Sequence, residues 1–327
     1  MIYHDRVYGQ VEISEPVVLE LIGTPAMQRL KGVGQFGYKH MGLSANLYSR
    51  LEHSIGVYLL LRKYSASLPE QVAGLIHDVS HGVFSHCLDY VLDEGSEKEQ
   101  NHQDNILKSF IKKTGIPAIL KKYGLNTDDI LNDKKFLLKE KSLPDLCADR
   151  IDYCLRDGLV FKEIEPRNAK YLLNGLFIGG NEWIFKDLSS AEKFLRLFLK
   201  LNRVYYAGIA SARMFRTAGD CLKYALKKKY IIKKDLFTTD NEVLKKLKSN
   251  LKQDQILKLL FQRMDGQIKI QNNPKNYDAR VFCKSRIVDP LCEHKGKIKR
   301  VSEIDKKWAE VVKKESQPKE YFLKFAK

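Results

Sequence analysis

The chain has 327 residues, 44% of them hydrophobic and 30% charged, with a formal net charge of +17. That length supports one large buried core with a smaller appendage, and the composition is that of a soluble globular protein rather than a disordered or fibrous one. No run of 18 apolar residues and no apolar leader occurs, and the six cysteines are scattered without a CxxC pair; these features speak against a membrane span, a disulfide frame and a zinc ribbon, and predict a cytoplasmic protein with reduced thiols.

Residues 1–12 read as a short strand-and-turn leader with Tyr3, Val7 and Val11 as apolar contacts. Glu15–Ile22 and Pro25–Lys31 read as helices, the second opened by Thr24 as N-cap and Pro25 at its first position. A glycine-punctuated loop over residues 32–49 leads to Arg50-Leu51-Glu52-His53. These open a helix to about Tyr64, with Ile55, Leu59 and Leu60 on its apolar side.

The stretch Ala73–Asp89, AGLIHDVSHGVFSHCLD, carries the densest chemistry. It holds five metal- or proton-competent side chains, His77, Asp78, His81, His86 and Asp89, in a chain with only eight histidines. On a helix, His77 and Asp78 diverge by about 100° and can flank one ion, and His81 returns to the His77 face one turn later. Gly82 loosens that helix, and Ser85 is placed to cap a following one carrying His86 and Asp89. Solvated histidines fit poorly, because Val72, Leu75, Ile76, Val79, Val83 and Phe84 hold the stretch in a core. Buried ionisable groups need partners or ions, and an imidazole–carboxylate set suits a divalent ion such as Mn, Fe, Mg or Zn.

Further on, Asn101–Lys113 reads as an amphipathic helix with His102 near its start, and residues 114–142 as short helices and polar connectors forming a surface lid. From Ser142 the pattern SLPDLCADRIDYCLRDGL reads as helix, with Asp149, Tyr153 and Asp157 on one stripe facing a wet cavity. Residues 166–176 read as a helix, EWIF as a strand, and Ser189 to about Lys229 as a long helix bent near Gly208 and Gly219. Lys233–Leu251, Asp254–Met264 and Ser302–Lys314 read as helices. Gln267–Ile270, Ala279–Cys283 (with Arg286–Asp289 as a continuation) and Tyr321–Phe325 read as strands. The fold class is mainly α, with a small basic α+β C-terminal region beginning near residue 230. Residues 222–327 hold 28 Lys+Arg against 13 Asp+Glu, which suggests a polyanion partner, a nucleotide-binding surface or an anionic assembly contact, or else a lysine-rich solvated face.

Three motifs carry a family resemblance. R-x-E-H-S-x-G-V runs from Arg50 to Val57, H-D-x-x-H-G-x-F-S-H-x-x-D from His77 to Asp89, and D-x-x-D-Y-x-x-R-D from Asp149 to Asp157. Over roughly residues 1–220 the chain resembles the HD-domain metal-dependent phosphohydrolases, most closely their deoxynucleoside triphosphate triphosphohydrolase branch. With the change of texture after Lys229, the resemblance divides the chain into an HD-domain helical core over residues 1–229 and a basic α+β C-terminal region over 230–327. It makes His53, His77, Asp78 and Asp149 the ligands of a divalent metal. His81, His86 and His102 match the histidines around the phosphate under attack, with Asp89 supporting one of them. Arg50 matches an arginine on the phosphate nearest the sugar, Gln35 and Phe36 the gate against ribose, and Tyr153, Asp157 and Tyr206 the sugar-facing wall. The same register puts Phe198, Gly208 and Ile209 where that branch carries phosphate-gripping basic residues, unless a gap brings in Arg203 or Arg213.

The expected activity is metal-dependent hydrolysis of nucleotides, by metal-activated water with histidine as acid. The alternatives are a nuclease or cyclic-nucleotide phosphodiesterase using the basic C-terminal region, and a non-catalytic nucleotide-sensing module. The expected partners are a small nucleotide substrate, a second copy of the chain in a homo-oligomer, and nucleic acid at the basic region, with no membrane. Assembly ranks before nucleic acid, because 24 of the 28 C-terminal cations are lysines and aromatics are sparse among them.

Overall fold

The computed structural model describes residues 1–38, 48–93 and 95–326. Half of the glycine-punctuated loop (residues 39–47) therefore lies outside the described residues, as do residues 94 and 327. Among the described residues the body is mainly helical, with three small sheets.

An antiparallel hairpin, Ile2–Asp5 with Gly9–Glu12, opens the chain. Thr24 accepts the Met27 amide and starts the helix Pro25–Arg29. Ser49 accepts the Glu52 amide to start Arg50–Lys63, and Ser67 accepts the Glu70 amide to start Leu68–Ile76. Each is an N-cap that satisfies an otherwise orphaned donor. Eleven of the fourteen residues of Arg50–Lys63 are buried, so this helix is central rather than amphipathic. One face packs Val57, Leu60 and Leu61 against Ile151 and Leu155 of the helix Ala148–Val160. The other packs Ile55 and Leu59 against Val72, Leu75 and Ile76. The polar residues that this helix carries thereby lie in the middle of the molecule.

Four local expectations are corrected. The helix expected from Ser142 starts at Ala148. Pro144 disfavours helix in its predecessor, and the Ala148 amide is taken by the carbonyl of Leu138 (2.7 Å). The helix before His77 ends at Ile76 and does not run to Gly82; the Val83 amide bonds instead to the Leu236 carbonyl (2.8 Å). Ser85 is not an N-cap. Its hydroxyl donates to the Gly34 carbonyl and accepts from Arg50 Nε, while Phe84 and Ser85 both take left-handed φ values of +54° and +47°. That is a costly conformation for Phe, held here by the Phe84 amide's bond to Asp240 (2.8 Å). Finally, the long helix is two, Leu188–Leu201 and Ile209–Lys227, joined by a π-turn Asn202–Tyr206; the break falls at Gly208 as expected, while Gly219 lies inside regular helix.

Residues 230–327 do not stand apart from this body. Glu182–Phe185 pairs antiparallel with Leu176–Gly179 and parallel with Leu291–His294, which turns back as Lys297–Arg300. A second sheet, in the order Ile270–Asn272, Lys319–Phe325, Ala279–Cys283, packs on Ile209–Lys227. The change of composition near residue 230 thus falls within interleaved elements.

Candidate metal centre

Three segments meet at the centre: the first turns of Arg50–Lys63, the turn that follows Ile76, and the first turn of Ala148–Val160. His53 Nε2 lies 2.8 Å from Asp149 Oδ1 across 96 residues of sequence, and 3.8 Å from Asp78 Oδ2. His77 Nε2 lies 3.5 Å from both Asp78 Oδ1 and Asp149 Oδ1. Donor atoms about 2.1 Å from a shared ion sit about 3.0–3.4 Å from one another, so these separations suit one divalent cation. His77 donates Nδ1–H to the Gly74 carbonyl (2.7 Å), which leaves Nε2 as the ligand nitrogen. That atom is buried and has no hydrogen-bond partner among the described residues. Asp78 and Asp149 raise the His77 pKa against its burial, so this unpartnered nitrogen faces carboxylates that favour positive charge, which suits a metal ligand.

Electrostatics agree. Burial opposes charge on His53, but its hydrogen bonds with Asp149 and Asp152 outweigh this and push it up to about 10. Burial likewise opposes ionisation of Asp78 and Asp149. Arg50, His77 and His81 nevertheless hold Asp78, and His53 and His77 hold Asp149, well below the usual carboxylate range. The pocket favours two carboxylates and demands positive charge between them. A second group of potential donors, Glu140, Cys147 and Asp149, already has its cation: Arg150 donates to Cys147 Sγ (3.0 Å) and to Glu140 (3.1 Å).

Beside the centre, His81 Nε2 lies 3.2 Å from Asp78 Oδ1, and His86 Nδ1 lies 3.1 Å from Asp89 Oδ2. Their rings meet edge to face at 5.1 Å. Burial first, and neighbouring cations second, push His81 down to about 3 and His86 to about 4, so both are neutral at pH 7. Arg50 is 3% exposed and is splayed by bonds to Asp78 (2.7 Å), Ser85 (2.9 Å) and the Gln35 carbonyl (3.1 Å). His102 is placed otherwise. Its amide caps onto Asp89 (2.9 Å), its ring lies near Phe237, and it is not among the residues lining the cleft beside the centre.

A family model of the HD domain matches residues 50–157. The chain is 35% identical over 287 residues to the uncharacterized protein YdhJ of Bacillus subtilis, covering 88% of this chain and 86% of that one. It is 36% identical over 211 residues to the metal-dependent phosphohydrolase cns2 of Cordyceps militaris, covering 63% and 58%. This chain belongs to the HD-domain metal-dependent phosphohydrolases. A more distant similarity, 31% over 144 residues, connects it to the deoxynucleoside triphosphate triphosphohydrolase SAMHD1 of Mus musculus; it covers 38% of this chain and 22% of that protein.

In this HD phosphohydrolase the centre opens on a cleft of about 870 Å³, within the range of small-ligand sites. Gln35, Phe36, Tyr153, Asp157 and Tyr206 line it. Tyr48 and Tyr206 both donate to Asp157, whose pKa burial raises to about 7 against those two bonds. The Tyr153 hydroxyl and Gln35 Oε1 are buried in the wall without hydrogen-bond partners among the described residues. Phe161 stacks on Tyr205 at 3.8 Å and meets Phe36 at 4.7 Å, forming an aromatic side.

Several functional residues escaped the sequence reading. His53 donates Nδ1–H to Asp152 (2.8 Å), which fixes the tautomer that presents Nε2. Asp152 accepts twice from Arg156 (2.9 and 3.0 Å) and once from Tyr8 (2.8 Å). Arg156 also reaches Asp5 (3.1 Å) and Glu52 (2.9 Å). A Cβ on Gly56 would lie 2.1 Å from Arg156 Nη2, which explains the glycine of the first motif. The signal was present in the third motif, since Asp152 and Arg156 stand at ion-pairing i, i+4 spacing. Lys284 and Arg286 also line the cleft, and nothing local in the sequence marks them.

Proposed function

We propose that this HD phosphohydrolase hydrolyses nucleotides, foremost (deoxy)nucleoside triphosphates, with related phosphoesters as slower substrates. The observation that carries the reading is the layout of one cleft. The cation-demanding ligand set and two neutral histidines lie at one end, and an aromatic and hydroxyl wall with unpartnered Tyr153 and Gln35 atoms lines the rest. The similarity to a protein named as a deoxynucleoside triphosphate triphosphohydrolase supports it.

His53, His77, Asp78 and Asp149 would hold the ion, with Mn our first candidate. When bound, a divalent ion supplies an acidified water and a Lewis acid for a phosphoryl oxygen. Arg50, forked and always charged, orients the non-bridging oxygens. His86, backed by Asp89, gives its proton to the leaving oxygen. It is neutral in the free protein in part because Arg50 and Arg286 repel its charge; an anionic substrate offsets both cations and lifts its pKa towards the working range. His81 keeps Asp78 oriented, and Asp157 meets the sugar through Tyr206. His102 acts behind Asp89, anchoring the loop that carries His86.

The cellular setting is cytoplasmic, in keeping with six free cysteines, all buried. No helix among the described residues is long and apolar enough to cross a membrane. A screen of the Mn-loaded protein against nucleoside mono- and triphosphates, cyclic dinucleotides and single-stranded DNA tests the proposal. Triphosphates are expected to turn over fastest; cleavage confined to cyclic dinucleotides or DNA would replace it with the phosphodiesterase reading.

A further inference from the structure

The helix that should carry basic residues for the phosphate chain does not bring them to the cleft. Phe198 is fully buried in the core, Arg203 is turned to Glu315 (2.7 Å), and neither it nor Arg213 lines the cavity. Two cations from the C-terminal region stand there instead. After the strand Ala279–Cys283 the chain stays extended in pattern. Cys283, Ser285 and Ile287 are buried, while Lys284 and Arg286 are half-buried and face the cleft.

The backbone at this point is clamped. Asn202, itself fully buried, donates to Ser285 Oγ (2.9 Å) and accepts from the Arg286 amide (2.8 Å). Asn202 begins the π-turn that ends at Tyr206, so the same turn sets both the sugar wall and these cations. Ile287 and Val288 anchor the following residues in the core. Of the other cations on the cleft, Arg50, Lys108, Lys139, Lys141 and Arg150 have carboxylate partners in Asp78, Asp128, Asp133, Glu182 and Glu140, and Lys134 is exposed to solvent. Among the described residues, neither the Lys284 ammonium nor the Arg286 guanidinium has a hydrogen bond or an ion pair. Burial and repulsion by Arg286 pull the Lys284 pKa down against the attraction of Asp104 and Glu99, and Arg286 repels charge on His86. Two like charges held together in a partly desolvated wall, with Asp104 and Glu99 near Lys284 but no carboxylate among the described residues in ion-pair contact with either, make an anion site.

We propose that Lys284 and Arg286 form the second half of a phosphate-chain clamp, gripping the phosphates distal to the one held by Arg50, and that the ligand they select is an oligophosphate. The proposal rests on the nucleotide reading of the cleft and assigns specificity for phosphate-chain length to the C-terminal region. An extended chain of phosphates fits this pair, because one forked and one point cation serve successive charged groups.

The test is calorimetric binding of inorganic tripolyphosphate and of orthophosphate to the Mn-loaded full chain. Arg286→Gln is expected to weaken tripolyphosphate binding about tenfold and Lys284→Gln several-fold, the size of a lost charge-assisted bond. Orthophosphate binding, metal content and the thermal midpoint should stay near those of the parent. Arg286→Lys, which keeps the charge and the fold, should fall between. Lys299→Gln, on an exposed strand, should change nothing. Tripolyphosphate binding within twofold of the parent in Arg286→Gln overturns the clamp, as does an equal loss for both anions or no binding by the parent. If the clamp is lost while nucleotides still turn over, only this inference falls. Arg286-dependent tripolyphosphate binding in a protein that turns over no nucleotide would keep the clamp and remove the nucleotide reading.

Discussion

At the scale of single residues, the centre depends on which nitrogen each histidine presents. Asp152 sets that choice for His53, so Asp152→Asn should lower metal affinity about 10–100-fold while leaving a folded protein. Metal titration of the variant checks this; unchanged affinity with a lower melting point would make Asp152 a structural residue only. Asp157 offers a pH signature. Its folded pKa, about 7, lies above the value of 3.8 for an unburied aspartate. Between about pH 4 and pH 7 the folded chain keeps a proton that the unfolded chain has lost, so stability falls as pH rises through that window. Below pH 4 both states are protonated and no cost arises. Asp157→Asn should flatten the decline by about 1–4 kcal/mol, a ceiling set by some three pKa units at 1.36 kcal/mol each. Denaturant midpoints at pH 5 and 7.5 read it directly, and parallel slopes in parent and variant would refute the assignment.

At the scale of elements, the helix that carries His53 was legible because the signals that open it are local. Thr24 caps its helix as expected, and Arg50–Lys63 opens at the expected residue and ends within one of its expected end. What was not legible was decided across the chain. Pro144 and a long-range bond from Leu138 delay the Ala148 helix, and Leu236 captures Val83. Asp240 holds the Phe84 and Gly34 amides together (2.8 and 2.9 Å), which joins the His86 loop to the Gln35 loop. The hairpin Leu291–Arg300 was missed because its turn, Lys295-Gly296, takes two left-handed φ values with Lys where Asn usually signals it. The N-terminal hairpin turned from a mere leader into a support, since Asp5 and Tyr8 close the Arg156 network. Arg156→Ala would leave Asp5 and Asp152 buried without their cation, and should cost about 3–5 kcal/mol of stability. Chemical denaturation tests this, and a loss below about 1 kcal/mol would mean that water enters the network freely.

At the scale of the whole molecule, the charge asymmetry has two destinations. Two of the C-terminal cations, Lys284 and Arg286, face the cleft, while many others, such as Lys297 and Lys299, lie exposed on strands and helix surfaces. Sequence composition registered the excess and could not sort it, because sorting needs the fold. For the exposed share we expect a homo-oligomer contact rather than nucleic acid. Sedimentation should show concentration-dependent association, and binding to single-stranded DNA should be weak. A monomer that binds DNA with a steep salt slope would reverse this order. The central claim is that four residues far apart in sequence hold one ion that hydrolysis requires. The most direct measurement is metal content and nucleotide turnover on the same preparations of parent and His77→Ala. The parent should hold about one divalent ion and hydrolyse triphosphates measurably, with both lost together in His77→Ala. A variant that loses the ion yet keeps parental turnover would contradict it.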